Sequence, residues 1–317
     1  MSGSSPKSGL RPSCDNHAAG GIVRPSVIDA VVVAHGDLDQ VRRCVRGLRW
    51  SSVPVRRMVV VDTLGGVSSA LSAMDSGHWL HVIDRHDNPG YGEAINVGIA
   101  ATDAPYVLLA NADVYVDCDA LEHLIGHMQV ENDVACVGPK FRHINGEWQD
   151  GAFRFPGIVQ AFIDAWPVPG WLRRGRLNGR ISSDGGPVDI DHPLGACMLV
   201  RRLSFDAVDG FDSKYWMYSE EVDFCWRLKD AGWRVTHVPA AHVWHVGGAS
   251  TRRQSSRMFV QLYRSRARWY RSCKRPVVAR ISLAAMRWGL RLQASLGFRA
   301  RRPARDYRTA IEAIENT

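Results

Sequence analysis

Two apolar runs end in carboxylates. Val55 to Val61 closes on Asp62, and Tyr106 to Leu109 is followed by Asn111-Ala112-Asp113. Each acid has two readings: Asp62 could accept a hydrogen bond from the imide of a uracil or thymine ring, or cap a helix. Asp113 could bind a divalent cation, or start the turn before Asp117. Between them lies Asn88-Pro89-Gly90-Tyr91-Gly92-Glu93-Ala94-Ile95-Asn96-Val97-Gly98, whose glycines let backbone approach a ligand closely and launch a helix. Downstream come Trp216-Met217-Tyr218-Ser219-Glu220-Glu221-Val222-Asp223, an aromatic-flanked acidic cluster at a helix start, and His242-Val243-Trp244-His245. An acidic cluster alone is ordinarily compensation of the helix dipole. The combination, in this order, points to a ligand site.

Such residues need a frame. Val27 to Ala34 is a β-branched run that stops at His35-Gly36-Asp37, as a buried parallel strand stops before its loop. Leu38, Val41, Val45 and Leu48 then repeat at helical spacing, so residues 27–61 form one βαβ unit. Further strands are predicted at 79–83, 106–109, 134–138, 195–201 and 234–238, with helices over 92–101 and 220–231. The stretches 148–170 and 173–186 have weak periodicity and read as loops and short strands. The alternation predicts a mostly parallel α/β sheet flanked by helices, with ligands at the carboxyl ends of its strands.

The 317 residues carry a net charge of +8, concentrated near the C-terminus. Sixteen Arg and Lys fall between Arg252 and Arg305 without a single Asp or Glu, which leaves the remainder acidic. Residues 256–273 and 276–297 read as helices. Arg280, Arg287 and Arg291 share one face of the second, which argues against a bilayer span and suits a helix lying on an anionic membrane surface or one packed on the domain with a solvated face. Residues 1–25, rich in Ser, Gly and Pro, read as a disordered leader without the apolar block of a secretory signal. Seven scattered cysteines without a C-x-x-C pair argue against a zinc ribbon, redox motif or disulfide framework and fit a reducing cytoplasm.

From about Val27 to Tyr270 the chain resembles the inverting glycosyltransferases of family 2, which have the nucleotide-binding A-type fold. The resemblance is carried by Asp62, the 88–96 block, Asn111-Ala112-Asp113, "GACMLVRR" at 195–202, "GFD…YSEEVDFCWRL…GW" at 210–233 and "HVWHVGGASTR" from 242. It is nearest to bacterial rhamnosyltransferases that use dTDP-rhamnose and an acceptor on polyprenyl diphosphate. It implies a catalytic body at 26–250, with a nucleotide-sugar-binding half (26–140) and an acceptor half (141–250), followed by a basic helical extension (251–317).

The resemblance also implies roles. Asp113 matches the last aspartate of the family's D-x-D and would hold Mg²⁺ or Mn²⁺, with His245 completing the metal site. Asn111 stands where that motif has its first carboxylate. Glu221 stands where the family has the aspartate that serves as base, so either Glu221 or Asp223 takes the acceptor's proton. Ala34, His35, Asp62, Gly90, Tyr91, Gly92, Asn96, Asn111 and Ala112 would line the donor pocket beside Asp113; Trp216, Tyr218 and Glu220 would meet the acceptor, although such aromatics also serve as core. The implied reaction is a single inverting displacement in which L-rhamnose passes to a hydroxyl of a polyprenyl-diphosphate-linked saccharide, at the inner face of the cell membrane. UDP-galactofuranose and GDP-mannose are alternative donors. A non-catalytic binding relative is the alternative that Asn111 and Glu221 would support. A sugar-1-phosphate nucleotidyltransferase would carry a Gly-rich loop with Arg and Lys where this chain has Ala34-His35-Gly36-Asp37. No nucleic acid is expected as a partner.

Overall fold

The computed structural model describes residues 27–71, 74, 79–247, 255–296 and 302–317. The leader at 1–25 and residues 248–254 lie outside the described residues. The first half alternates as expected: β1 (Ile28–Ala34), α1 (Leu38–Arg49), β2 (Val55–Asp62), α2 (Val67–Leu71), β3 (Leu80–Asp84), α3 (Tyr91–Ala100), β4 (Tyr106–Asn111), β5 (Val114–Val116), α4 (Ala120–Val130) and β6 (Val134–Arg142). β1 is buried on both faces, as a central parallel strand covered by helices must be. Asp37 caps α1 by accepting from the Gln40 amide.

The second half adds β7 (Trp148–Gln149), β8 (Ala152–Phe153), α5 (Ile158–Ala165), α6 (Gly170–Arg174), β9 (Val188–Asp189), β10 (His192–Pro193), β11 (Cys197–Arg201), α7 (Arg202–Ala207), α8 (Glu220–Asp230) and β12 (Arg234–His245). α9 (Ser255–Cys273), α10 (Pro276–Ser295) and α11 (Ala304–Glu315) close the chain. Two expectations change here. Residues 158–165, read as loop, form a helix that buries Ala161, Ile163 and Ala165. The strand expected at 234–238 continues to His245, because the register shift between Val238 and His242 absorbs Pro239, which has no N–H to give the ladder.

The main sheet runs β3-β2-β1-β4-β11-β6-β12-β5. β3, β2, β1 and β4 are mutually parallel, as are β6 and β12, while β11 lies antiparallel between β4 and β6. β5 pairs antiparallel with the end of β12, placing Val114 opposite His245. One core lies on each face of this sheet. A third cluster joins Tyr215, Val222 and Ala161 to Tyr263, Trp269, Leu283 and Tyr307, so α9 to α11 are packed onto α5 and α8. Gly289 of α10 is in such close contact with the Trp166 indole that a β-carbon would collide with it, and the Trp166 Nε1–H donates to the Ala285 carbonyl at 2.9 Å.

Candidate functional site

The carboxyl ends of β1, β2 and β4, the start of α8 and the end of β12 converge on one edge of the sheet. Asp113 and His245 are brought together by the β5–β12 pairing, across 132 residues of chain that no local rule connects. His245 Nε2 lies 3.5 Å from Asp113 Oδ1. The other ring nitrogen, Nδ1, lies 3.0 Å from Gln149 Oε1; with that amide oxygen as acceptor, Nδ1 carries the proton and Nε2 turns a lone pair toward Asp113. The Gly247 amide donates to Asp113 Oδ2 at 3.2 Å and the Val246 amide to the Asp113 carbonyl at 3.1 Å. A carboxylate oxygen and an imidazole lone pair at this separation can share one ion whose bonds are about 2.1 Å long. The residues therefore fit the implied divalent cation. Gln149 was missed by sequence reasoning, since a lone Gln in a two-residue strand carries no signal.

Among the described residues, another group of metal-capable side chains gathers Asp62, Asp84 and His86 within 4.8 Å of one another. Asp62 is fully buried, and its carboxylate accepts from the amides of Leu64, Gly65 and Val67 at 3.1, 2.7 and 2.9 Å. It thus fixes the turn into α2. Beside it, Thr63 donates its hydroxyl to the Ala34 carbonyl, and His35 Nδ1 stands 3.0 Å from the same hydroxyl.

The Asn88–Gly98 block does not form a free phosphate cradle. Its partners come from residues 211–220. Asn96 holds the backbone of Phe211, accepting from its amide at 3.0 Å and donating to its carbonyl at 2.8 Å. Asn96 thus brackets α3 to the loop before α8. The Tyr91 amide donates to the Trp216 carbonyl at 3.1 Å, and the Trp216 indole donates to the Asn88 carbonyl at 3.0 Å. Gly90 is glycine for two reasons: its φ is +98°, and a β-carbon would collide with the Trp216 carbonyl.

The segment that this block supports is strained. Tyr218 and Ser219 both have positive φ, 69° and 64°, directly ahead of Glu220, a conformation that costs non-glycine residues about 1–3 kcal/mol each. Ser265 of α9 pins it by donating to the Met217 carbonyl at 2.7 Å. The strained turn delivers Glu220 and Glu221 into the first turn of α8. Glu220 is buried, and its Oε2 has no hydrogen-bond partner. Burial, reinforced by the neighbouring Glu221, raises the Glu220 pKa well above the carboxylate range. Burial also raises the Glu221 pKa, against backbone hydrogen bonds and the charge of Arg266 that lower it. The Glu221 side chain runs alongside Gly195, whose built β-carbon would lie 3.4 Å from its Cβ, Cγ and Cδ.

Asp223 is directed elsewhere. Its Oδ2 accepts from Arg227 Nε at 2.8 Å, and its Oδ1 lies 3.6 Å from the Cys273 thiol of α9. It ties α8 to the C-terminal helices, so of the two acids considered as base, Glu221 is the one left facing β11. Tyr91 shows how the groups assemble: its hydroxyl is buried without a partner, and its pKa is raised first by burial and then by the charges of Glu220, Cys197, Glu221 and Asp113. Asn111 and Ala112 complete this edge through their backbone amides, which donate to the Ala196 and Val33 carbonyls.

Residues 29–208 match Glycosyl transferase family 2, and residues 185–303 match Glycosyl transferase family group 2. An N-acetylglucosaminyl-diphospho-decaprenol L-rhamnosyltransferase of Mycobacterium tuberculosis is 34% identical over 182 residues, covering 52% of this chain and 58% of the relative. Rhamnosyltransferase WbbL of Escherichia coli is 29% identical over 177 residues, covering 54% of this chain and 66% of the relative. This chain thus spans somewhat more than half the length of these relatives. Among solved structures, a mannosyltransferase from Pyrobaculum calidifontis in complex with GDP-Man and Mn²⁺ superposes with a TM-score of 0.53 at 13% identity, covering 94% of this chain and 88% of that one. GalNAc-T7 with UDP, GalNAc and Mn²⁺ gives a TM-score of 0.52 at 14% identity, covering 69% of this chain and 42% of that one. The shared architecture is the A-type glycosyltransferase fold.

Proposed function

The chain belongs to glycosyl transferase family 2, and from that premise we propose that it moves a sugar from a nucleoside diphosphate to a hydroxyl of a polyprenyl-diphosphate-linked saccharide, with inversion. L-rhamnose from dTDP-rhamnose is the donor this reading favours, because the two similar relatives described above are named rhamnosyltransferases. One observation carries the reading: the β5–β12 pairing sets His245 Nε2 3.5 Å from Asp113 Oδ1, a carboxylate and an imidazole placed to share one cation.

The chain's own groups divide the work. Asp113 and His245 would hold Mg²⁺ or Mn²⁺, which when bound offsets charge on the departing diphosphate. Glu221, half-buried and less acidic than a free glutamate because of the desolvation it suffers, takes the proton of the incoming hydroxyl. Attack proceeds on the face opposite the leaving group, so the anomeric configuration inverts. Gln149 keeps the imidazole in the tautomer that presents Nε2.

The membrane is the place of reaction in this reading. Among the described residues no helix is long and apolar enough to cross a bilayer. On α10, Val277, Ile281, Trp288 and Leu292 are exposed at helical spacing, with Arg280, Arg287 and Arg291 along one flank. An apolar stripe edged by arginines suits an interfacial helix, its side chains in the headgroup region and its guanidiniums at the phosphates. The function is tested by transfer of radiolabelled rhamnose from dTDP-rhamnose to a polyprenyl-diphosphate N-acetylglucosamine with and without Mn²⁺. Metal-dependent transfer is the expected result; no transfer from any of a panel of nucleotide sugars, with no metal-dependent donor binding, would remove the reading.

A further inference from the structure

A cavity of about 570 Å³ is lined by residues of α9 and α11 and by Trp216, in the loop that leads to Glu220 and Glu221. Three arginines line it: Arg257 and Arg264 from α9, and Arg305 from α11. Arg257 lies 4.8 Å from the centre of the Trp216 ring. The one acid in the lining, Asp306, is already engaged, accepting from the Ser256 hydroxyl at 2.8 Å and lying 3.8 Å from both Arg302 and Arg305. Arg257 and Arg264 form no ion pair among the described residues. Val260 and the Trp216 ring supply apolar surface beside the guanidiniums.

This lining suits an anion that carries a hydrocarbon chain. Guanidiniums match phosphate oxygens in a planar fork, and three of them around one cleft suit a diphosphate better than a single phosphate. The cleft is also separate from the strand-end metal pair, so it need not compete with the donor's own diphosphate. It is mechanically joined to the reacting end: Gln261, in the lining, donates to Ser265, and Ser265 donates to the Met217 carbonyl. We propose that this cleft seats the diphosphate and first isoprene units of a prenyl-diphosphate-linked acceptor, with Arg257, Arg264 and Arg305 as its cationic lining. The assignment of that ligand as acceptor rests on the proposed transferase function.

The test is calorimetric titration of the full chain with farnesyl diphosphate in EDTA, which removes any metal-held diphosphate at the strand ends. Wild type should bind farnesyl diphosphate and not farnesol, and Arg264→Ala/Arg305→Ala should bind at least tenfold more weakly with an unchanged thermal midpoint. dTDP in EDTA should fail to displace the ligand. Absence of binding to wild type, equal affinity in the variant, or displacement by dTDP would each overturn the proposal. Should the double variant not fold, Arg264→Glu, a change at an exposed side chain, must lose binding in its place. If farnesyl diphosphate binds this way while no nucleotide sugar shows metal-dependent binding, the transferase reading fails and the prenyl-diphosphate site stands; the reverse outcome removes this proposal alone.

Discussion

His245 Nε2 stands 3.5 Å from Asp113 Oδ1, and the opposite ring nitrogen stands 3.0 Å from Gln149 Oε1. The pair is built by the edge of the sheet, where β5 and β12 run antiparallel and β7 lies alongside β6. An imidazole held from behind in this way presents its free nitrogen without rotamer or tautomer cost.

Asp113→Ala and His245→Ala are expected to abolish Mn²⁺-dependent protection of the protein by a nucleotide sugar against heat, because a ligand held only by the native state raises the melting midpoint by mass action. Gln149→Leu should weaken Mn²⁺ binding about 10- to 100-fold while leaving the apo protein's midpoint near wild type. A Gln149→Leu protein with unaltered metal affinity would show that the amide does not orient the ring.

The two acids once open as base should separate in assays. Glu221→Gln is expected to reduce transfer by about 10²- to 10⁴-fold with the fold retained. Asp223→Asn should instead cost about 1.5–3 kcal/mol of stability, since it weakens the charge-assisted bond to Arg227 and the link to Cys273. Turnover and urea denaturation, measured on both proteins, give the contrast; Asp223→Asn with full stability and no turnover would reverse the assignment.

The buried glutamates set a pH dependence. Both have raised pKa values, so the folded state holds protons that the unfolded chain has released. Their contribution favours folding at acidic pH and is lost as pH rises from the ordinary glutamate range through the raised folded values. Glu220→Gln replaces a buried carboxyl of raised pKa by an amide that does not titrate. It should raise the melting midpoint at neutral pH and flatten the fall of that midpoint as pH rises above the ordinary glutamate range. A midpoint that falls with pH as steeply as in wild type would mean that Glu220 takes no part in this dependence.

Gly90 and Asn96 should matter through the loop they brace rather than through a ligand. Asn96→Ala leaves the Phe211 amide and carbonyl without their partner and is expected to cost about 1–3 kcal/mol. Gly90→Ala forces the Trp216 carbonyl aside and should depress transfer more than donor binding, as read from kcat against the donor's binding midpoint. Equal losses in both would place the block in the donor pocket after all.

Trp288 is 61% exposed, so Trp288→Ala should change stability by no more than about 0.5 kcal/mol. Combined with Ile281→Ser, it should release the protein from vesicles containing anionic lipid, and wild-type binding should weaken as salt is raised. Sedimentation of the variant with vesicles as complete as wild type would assign the stripe no part in attachment.

The sequence by itself determined the local units and the kinds of chemistry. The β-branched run at 28–34, the helical spacing of Leu38 to Leu48 and the polar stops at Asp62 and Asn111–Asp113 follow from short-range pattern, and each lies where the structure has it. What pattern could not reach were choices made by partners distant in the chain. The separation of Glu221 from Asp223 depends on Arg227 and on α9, and the use of Asn96 depends on Phe211, 115 residues away. Gln149 and the arginine-lined cleft beside Trp216 have no signature in their own segments. They exist because strand pairing and helix packing bring together side chains whose spacing along the chain carries no periodicity.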